Sequence, residues 1–292
     1  MTNIIAVAGG KGGVGKTLIA TNIAVLLSER GKTLLVDADV DNPCVLPSIR
    51  GLDPKIEKIE EVTRFRPLIL QEKCDLCGKC VEACPEHALV LIPGQRLIHI
   101  DSLCAGCSVC KLVCEKEAIK EDTVIEGYIK YGKTTKDYNI DLIIGELKPG
   151  ERRSYVIMSK LLEGHRELFS KYDNVIIDSP PGTGAGVFSV LRNSEKYIIV
   201  TEPTRLGIAD LKKILQLIEE KFGNRKVVIV VNKANLSPEG VEEIRKLCSR
   251  YTVFEIPYSR EIAEYYARGE TVVDKVRDVR KIFEKIVEEL LG

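Results

Sequence analysis

Residues 10–17 read Gly-Lys-Gly-Gly-Val-Gly-Lys-Thr, and no other stretch limits the fold of this chain so strongly. The octet follows a short apolar run, Ile4 to Ala8, and precedes a segment with apolar residues at Leu18, Ile19, Ile23, Leu26 and Leu27. The run suits a buried parallel strand, and the segment has helical spacing. A glycine-rich bend between a strand and a helix N-terminus is the P-loop pattern. Its backbone N–H groups approach phosphate oxygens closely, and the helix dipole favours their charge. Gly10, Gly12, Gly13, Val14 and Gly15 are therefore candidate phosphate-binding positions. Lys16 supplies the counter-charge to the β- and γ-phosphates, and the Thr17 hydroxyl is a candidate Mg²⁺ ligand.

The flanking pattern extends this motif into a domain. Gly31 is a natural stop for the first helix, and Thr33 to Asp37 reads as a second strand. Val175 to Asp178, Tyr197 to Thr201 and Val227 to Asn232 are short β-branched runs, with helical segments at 208–222 and 238–250. Such alternation predicts an α/β fold with a mostly parallel sheet covered by helices on both faces. Between about residues 60 and 125 the alternation stops and cysteines crowd together. The expected organisation is an ATPase-type domain in two parts, 1–60 and 126–292, with an inserted domain at 61–125.

The insertion has its own signature. Eight of the ten cysteines lie within residues 74–114. No basic segment, long apolar core or cleavage site opens the chain, so a cytoplasmic location is expected, where clustered cysteines suggest metal ligation before disulfides. Cys74, Cys77, Cys80 and Cys84 form a C-x-x-C-x-x-C-x-x-x-C run followed by Pro85. Cys104, Cys107, Cys110 and Cys114 repeat it 30 residues later. Paired runs of this kind predict a bacterial-type ferredoxin domain of α+β structure with two 4Fe–4S clusters, the fourth cysteine of each run ligating the other cluster. The expected ligand sets are Cys74, Cys77, Cys80 and Cys114, and Cys104, Cys107, Cys110 and Cys84. Structural zinc would need only two separated cysteine pairs. Cys44 and Cys248 read as buried thiols, and His87, His99 and His165 show no ligand spacing.

With Lys11 directly after the first glycine, the loop resembles the deviant P-loop class of MinD, ParA, the Mrp-type proteins and the nitrogenase iron protein. The resemblance implies that Lys11 reaches the nucleotide of a partner subunit. Leu34 to Asp39 resembles the first switch of that class, which implies that Asp39 orients the attacking water; Asp37 and Asp41 are the alternatives for this role. Val175 to Gly182 resembles its second acidic strand. Asp178 would then hold Mg²⁺ through water, and the Gly182 N–H would face the γ-phosphate. Residues 232–235 read Asn-Lys-Ala-Asn, lacking the aspartate with which related GTPases bind guanine. Asn232 offers an amide to adenine instead, and the segment around Pro257 resembles the adenine-flanking loop, so ATP is favoured.

The whole chain resembles the members of this class with an inserted ferredoxin. That resemblance implies an ATPase coupling nucleotide state to electron transfer or to cluster assembly on a partner. The alternatives are a nucleotide-gated cluster carrier without turnover and a positioning ATPase of the MinD or ParA kind. The expected partners are a second ATPase chain, identical or paralogous, and a redox or metal-cluster acceptor. The 43 basic and 43 acidic residues balance, which argues against a nucleic-acid surface. No apolar run approaches the roughly 18 residues of a membrane helix. The C-terminal stripe of Ile282, Phe283, Ile286 and Leu290 carries Glu284, Glu288 and Glu289 beside it. It reads as a core-packing helix rather than a membrane-surface one.

Overall fold

A computed structural model of the chain describes residues 2–292. Strand β1 (Asn3–Ala8) runs through the glycine loop into helix α1 (Lys16–Ser28), and β2 (Thr33–Asp37) follows. The short helix α2 (Val45–Ser48) leads to a long strand, β3 (Pro54–Ile69). Next come α3 (Lys79–Glu82), β4 (Leu89–Ile92), β5 (Arg96–His99), α4 (Val109–Leu112) and a second long strand, β6 (Ile119–Thr134). The chain continues with β7 (Ile140–Leu147), α5 (Ser154–Leu162), α6 (Arg166–Phe169), β8 (Asn174–Asp178) and α7 (Ala185–Arg192). It ends with β9 (Lys196–Thr201), α8 (Arg205–Lys221), β10 (Lys226–Asn232), α9 (Pro238–Leu247), β11 (Thr252–Ile256), α10 (Arg260–Ala267) and α11 (Arg277–Leu291).

Two compact units result. The first comprises the residues up to Glu60 and those from Tyr128 onwards, and the second comprises Glu61–Gly127. The second ends two residues beyond the boundary expected at 125, because β6 runs without a break from residue 119 to 134. Neither 16-residue strand is visible as an alternating pattern in the sequence. Their residues, such as Lys-Ile-Glu-Lys-Ile-Glu-Glu in β3, are strongly charged.

The strand order is β11-β10-β9-β1-β8-β2-β7-β6-β3. All pairings from β11 to β7 are parallel. Burial on both faces explains why these strands are continuous apolar runs. Ile5 and Val7 share a core cluster with Ile19, Ile23 and Leu27 of α1 and with Phe283, Ile286 and Leu290 of α11. Ala6 and Ala8 alternate to the opposite face and are equally buried. The acidic C-terminal helix thus turns its apolar stripe to the core, where a side chain such as Phe283 contributes about 1.5–3 kcal/mol. Among the described residues no helix is long and apolar enough to cross a membrane.

The inserted unit repeats itself in backbone as in sequence. Leu76 and Gly106, Gly78 and Ser108, and His87 and Glu117 are pairs 30 residues apart, and all six have positive φ, between 46° and 77°. Leu70 N donates to Ala118 O as Ile100 N donates to Ala88 O, each at 2.8 Å. The antiparallel hairpin β4–β5 and the one-turn helices α3 and α4 enclose a small core of Phe65, Cys80, Leu89, Leu97, Cys110 and Ile119.

Candidate functional site

The glycine loop leaves the C-terminal end of β1, in the middle of the sheet. Gly13 and Gly15 have φ of 79° and 102°, a left-handed region in which a Cβ is strained. A side chain on Gly10 would also meet Asp210 at 2.3 Å, and one on Gly15 would meet Asn232 Nδ2 at the same distance. The loop is open at Gly12 and Gly13, where an added Cβ would meet nothing within 4 Å. Lys16 opens α1 and is only 7% exposed, with its Nζ donating to Lys11 O at 3.2 Å. Burial lowers its pKa, and the nearby carboxylates of Asp178 and Asp39 work against that. A buried cation at an open backbone bend is an arrangement suited to anionic oxygens.

Asp178 and Asp39 stand near this lysine, and Asp37 ends the strand beside Asp178. Asp178 stands in register with Val7 of β1 on one side and with Asp37 of β2 on the other. Thr17 Oγ1 donates to Asp178 Oδ2 at 2.6 Å. Asp178 Oδ1 is buried without a hydrogen-bond partner, and burial raises the carboxyl pKa. A hydroxyl and an orphaned buried carboxylate oxygen fit a hard cation such as Mg²⁺. Asp37 is fully buried, and its oxygens accept from Asp39 N at 3.1 Å and Val45 N at 2.8 Å. These two bonds hold the backbone that follows β2. Asp39 is half-buried beside Lys16, with burial raising its pKa and Lys16 opposing the rise, whereas Asp41 is exposed. Of the three carboxylates, Asp39 is the one beside Lys16 that is neither fully buried nor exposed. Gly182 has φ of 101° in open space after β8.

On the opposite side of the loop Asn232 donates one of its two amide hydrogens to Val14 O at 2.8 Å and so braces the P-loop. Asn235 pairs with the backbone of Tyr258 in both directions, at 3.1 and 2.7 Å, and fixes the segment carrying Pro257. Pro257 is exposed and lines a cleft with Ala234, Asn235 and Pro238. Lys11 is 45% exposed, with Nζ 4.0 Å from Glu202.

Sequence reasoning missed three residues here. Glu202, 8% exposed, also holds Lys233 at 2.5 Å, and Lys233 donates to Gly13 O at 3.3 Å. Tyr266 of α10 accepts from Ser48 at 3.2 Å and stands beside Thr17 and Asp178. No motif marks Glu202 or Tyr266, and the Asn-Lys-Ala-Asn segment that contains Lys233 does not reveal its bond to Gly13. Cys44, expected to be buried, is only half so, and donates to Asn42 O at 3.2 Å. Cys248 is buried in the core, as expected.

In the inserted unit the eight cysteines sort into two cavities. Cys74, Cys77, Cys80 and Cys114 line one, and Cys84, Cys104, Cys107 and Cys110 line the other. Each group therefore takes three thiols from one run and the fourth from the other. Ala88 N donates to Cys84 Sγ and Ala118 N to Cys114 Sγ, both at 3.3 Å. Such N–H donors favour thiolate. Among the described residues no three His, Cys, Asp or Glu side chains converge closely enough to hold one metal ion.

The family model of the CobQ/CobB/MinD/ParA nucleotide binding domain matches residues 5–272. An uncharacterised protein of Methanocaldococcus jannaschii is 33% identical over 287 residues, covering 97% of this chain and 96% of that one. A second protein of the same organism is 30% identical over 294 residues, covering 98% and 95%. Among solved structures, the septum site-determining protein MinD of Pyrococcus horikoshii, complexed with Mg-ADP, has a TM-score of 0.59 at 20% identity. It covers 99% of this chain and 96% of its own, a likeness of fold.

Proposed function

Because the chain belongs to the CobQ/CobB/MinD/ParA nucleotide-binding family, we propose that it is an ATPase holding two 4Fe–4S clusters. In this reading nucleotide state is coupled to electron transfer, or to assembly of an iron–sulfur or other metal cluster on a partner. The observation that carries the reading is the sorting of eight cysteines into two sets of four with the fourth thiols exchanged. This set lies on a segment inserted after the first acidic strand of a nucleotide site. The clusters would supply one-electron storage when bound.

In the nucleotide site the loop from Gly10 to Gly15 gives backbone N–H groups to the phosphates, and Lys16 neutralises them. Thr17 and Asp178 hold Mg²⁺, which offsets charge on the β- and γ-phosphates. Asp39 orients water towards the γ-phosphate, and its half-buried place beside Lys16 supports that role. The Gly182 N–H meets the same phosphate group, and Pro257 flanks the base. Lys11 is exposed enough to reach a second subunit, identical or paralogous. The existence of two similar proteins in one organism is compatible with a paralogous pair.

Anaerobically purified protein should contain about eight irons and eight acid-labile sulfides per chain, and it should turn over ATP with Mg²⁺. Zinc in place of iron defeats the cluster reading. Iron with ATP binding but no turnover would make it a nucleotide-gated carrier.

A further inference from the structure

The two cysteine cavities are matched in backbone but not in lining: Lys79 and Lys116 line one, and His99 lines the other. It ends β5 and pairs with Leu89 across the hairpin. His99 lines the cavity of Cys84, Cys104, Cys107 and Cys110 together with Phe65, Pro67 and Leu89. Its Nε2 is buried without a hydrogen-bond partner. The position 30 residues earlier, matching it in the other half, is Ile69, which packs apolar against the core of the unit. An orphaned buried imidazole nitrogen is costly, whereas a sulfur-rich group beside it is an acceptor.

We infer that His99 donates a hydrogen bond from Nε2 to sulfur of the cluster held by Cys84, Cys104, Cys107 and Cys110, and so raises the reduction potential of that cluster alone. The inference rests on the cluster reading of the preceding section. Its physical basis is that reduction adds negative charge to the cluster and its thiolates, so a donor stabilises the reduced state more than the oxidised one. Burial lowers the His99 pKa, with Arg64 and Arg66 adding to the effect and Asp101 opposing it. Glu86 lies on the same wall, but it is exposed and its charge is screened by water. His99 is in this view a positioning residue that sets an electronic property, a role that its sequence surroundings do not reveal.

The test is a mediated redox titration of anaerobic protein, followed by electron paramagnetic resonance, for wild type, His99→Leu and His99→Gln. In His99→Leu the reduced fraction of one cluster, at a fixed potential on its rising limb, should fall about tenfold in ratio. The other cluster should stay in place, and His99→Gln, which keeps an N–H donor, should lie nearer wild type. The cluster that moves should be the one lost in Cys107→Ser. Intact iron with no shift, or equal shifts in both clusters, overturns the role of His99 while leaving the cluster reading standing. Should His99→Leu not fold, ¹⁵N-histidine labelling of the wild type decides: nitrogen coupling to one reduced cluster supports the bond, and its absence from both overturns it. Zinc-loaded protein without iron would overturn the cluster reading, and this inference with it.

Discussion

The Thr17 hydroxyl donates to Asp178 Oδ2 at 2.6 Å, tying the first turn of α1 to the end of β8. The bond leaves Asp178 Oδ1 buried and unpartnered, with burial holding the carboxyl above its ordinary pKa. A cation bound there favours the ionised form. Asp178→Asn keeps the shape and removes the charge. It should weaken ATP binding about tenfold or more in the presence of Mg²⁺, and little in its absence. Titration with a fluorescent ATP analogue, with and without EDTA, measures both. Equal losses under the two conditions would place Asp178 outside the metal site.

The three aspartates after β2 should separate by assay. Asp39→Ala should bind ATP and hydrolyse it about 100-fold more slowly, the low end of what a positioned acid–base group contributes. Asp37→Ala should mainly destabilise, because the Asp39 and Val45 amides each lose their acceptor at roughly 1–3 kcal/mol apiece. Thermal unfolding reads that loss. Asp41→Ala, at an exposed position, should behave as wild type in both assays. Normal turnover in Asp39→Ala would move the water-orienting role elsewhere.

The exchanged cysteines make a paired prediction. Cys114→Ser should damage the cluster of Cys74, Cys77 and Cys80, and Cys84→Ser the cluster of Cys104, Cys107 and Cys110. Iron content and the two resonance signals, compared between the variants, check this. If Cys114→Ser instead removed the signal that Cys107→Ser removes, each run would be closing its own cluster.

The α/β core and the phosphate loop were legible because their signals are local. An octet of glycines and lysine, continuous apolar strands and a helical stripe each specify structure within a few residues. The cysteine sorting was equally legible, since a repeat in sequence becomes a repeat in backbone, as the φ values of His87 and Glu117 show. What escaped was set by the tertiary fold. Strands β3 and β6 are too charged to display a period-two pattern, and β3 finds its partner β6 only across the cysteine-rich segment. The bond from Asn232 to Val14 O was hidden because the two residues lie 218 positions apart. Tyr266 and Glu202 reach the site from elements without a motif. His99 lacked ligand spacing because its part is to line a cavity.

On the proposed coupling, helix α5 would carry nucleotide state towards the ends of the insertion. It packs near the segments that follow both acidic strands. Gly145 of β7 packs between Val40, next to Asp39, and Ile157 and Leu161 of α5; an added Cβ there would lie 2.5, 3.3 and 3.1 Å from them. A Cβ on Gly186 would lie 2.8 Å from Pro180, after Asp178, and 3.9 Å from Met158 of α5. Lys160 of the same helix pairs with Glu60 at 2.7 Å, and Glu60 is the last residue before the chain enters the insertion. Tyr131, just after the chain returns, donates to Glu60 at 2.9 Å and meets His165 Nε2 at 2.8 Å. Lys160 and then Tyr131 pull the Glu60 pKa down to about 2, so the link is intact throughout the neutral range. Glu60 is about a third exposed, and losing such a pair costs no more than about 1 kcal/mol. Glu60→Ala should therefore fold, load iron and hydrolyse ATP near the wild-type rate. What should shrink is the difference in cluster reduction rate among the ATP, ADP and nucleotide-free states. Stopped-flow reduction by dithionite, in wild type, Glu60→Ala and Lys160→Ala, measures that difference. An undiminished nucleotide effect in both variants would remove α5 from the coupling. No nucleotide effect in wild type would mean that the two units work independently, since coupling needs an element whose state both sites bias.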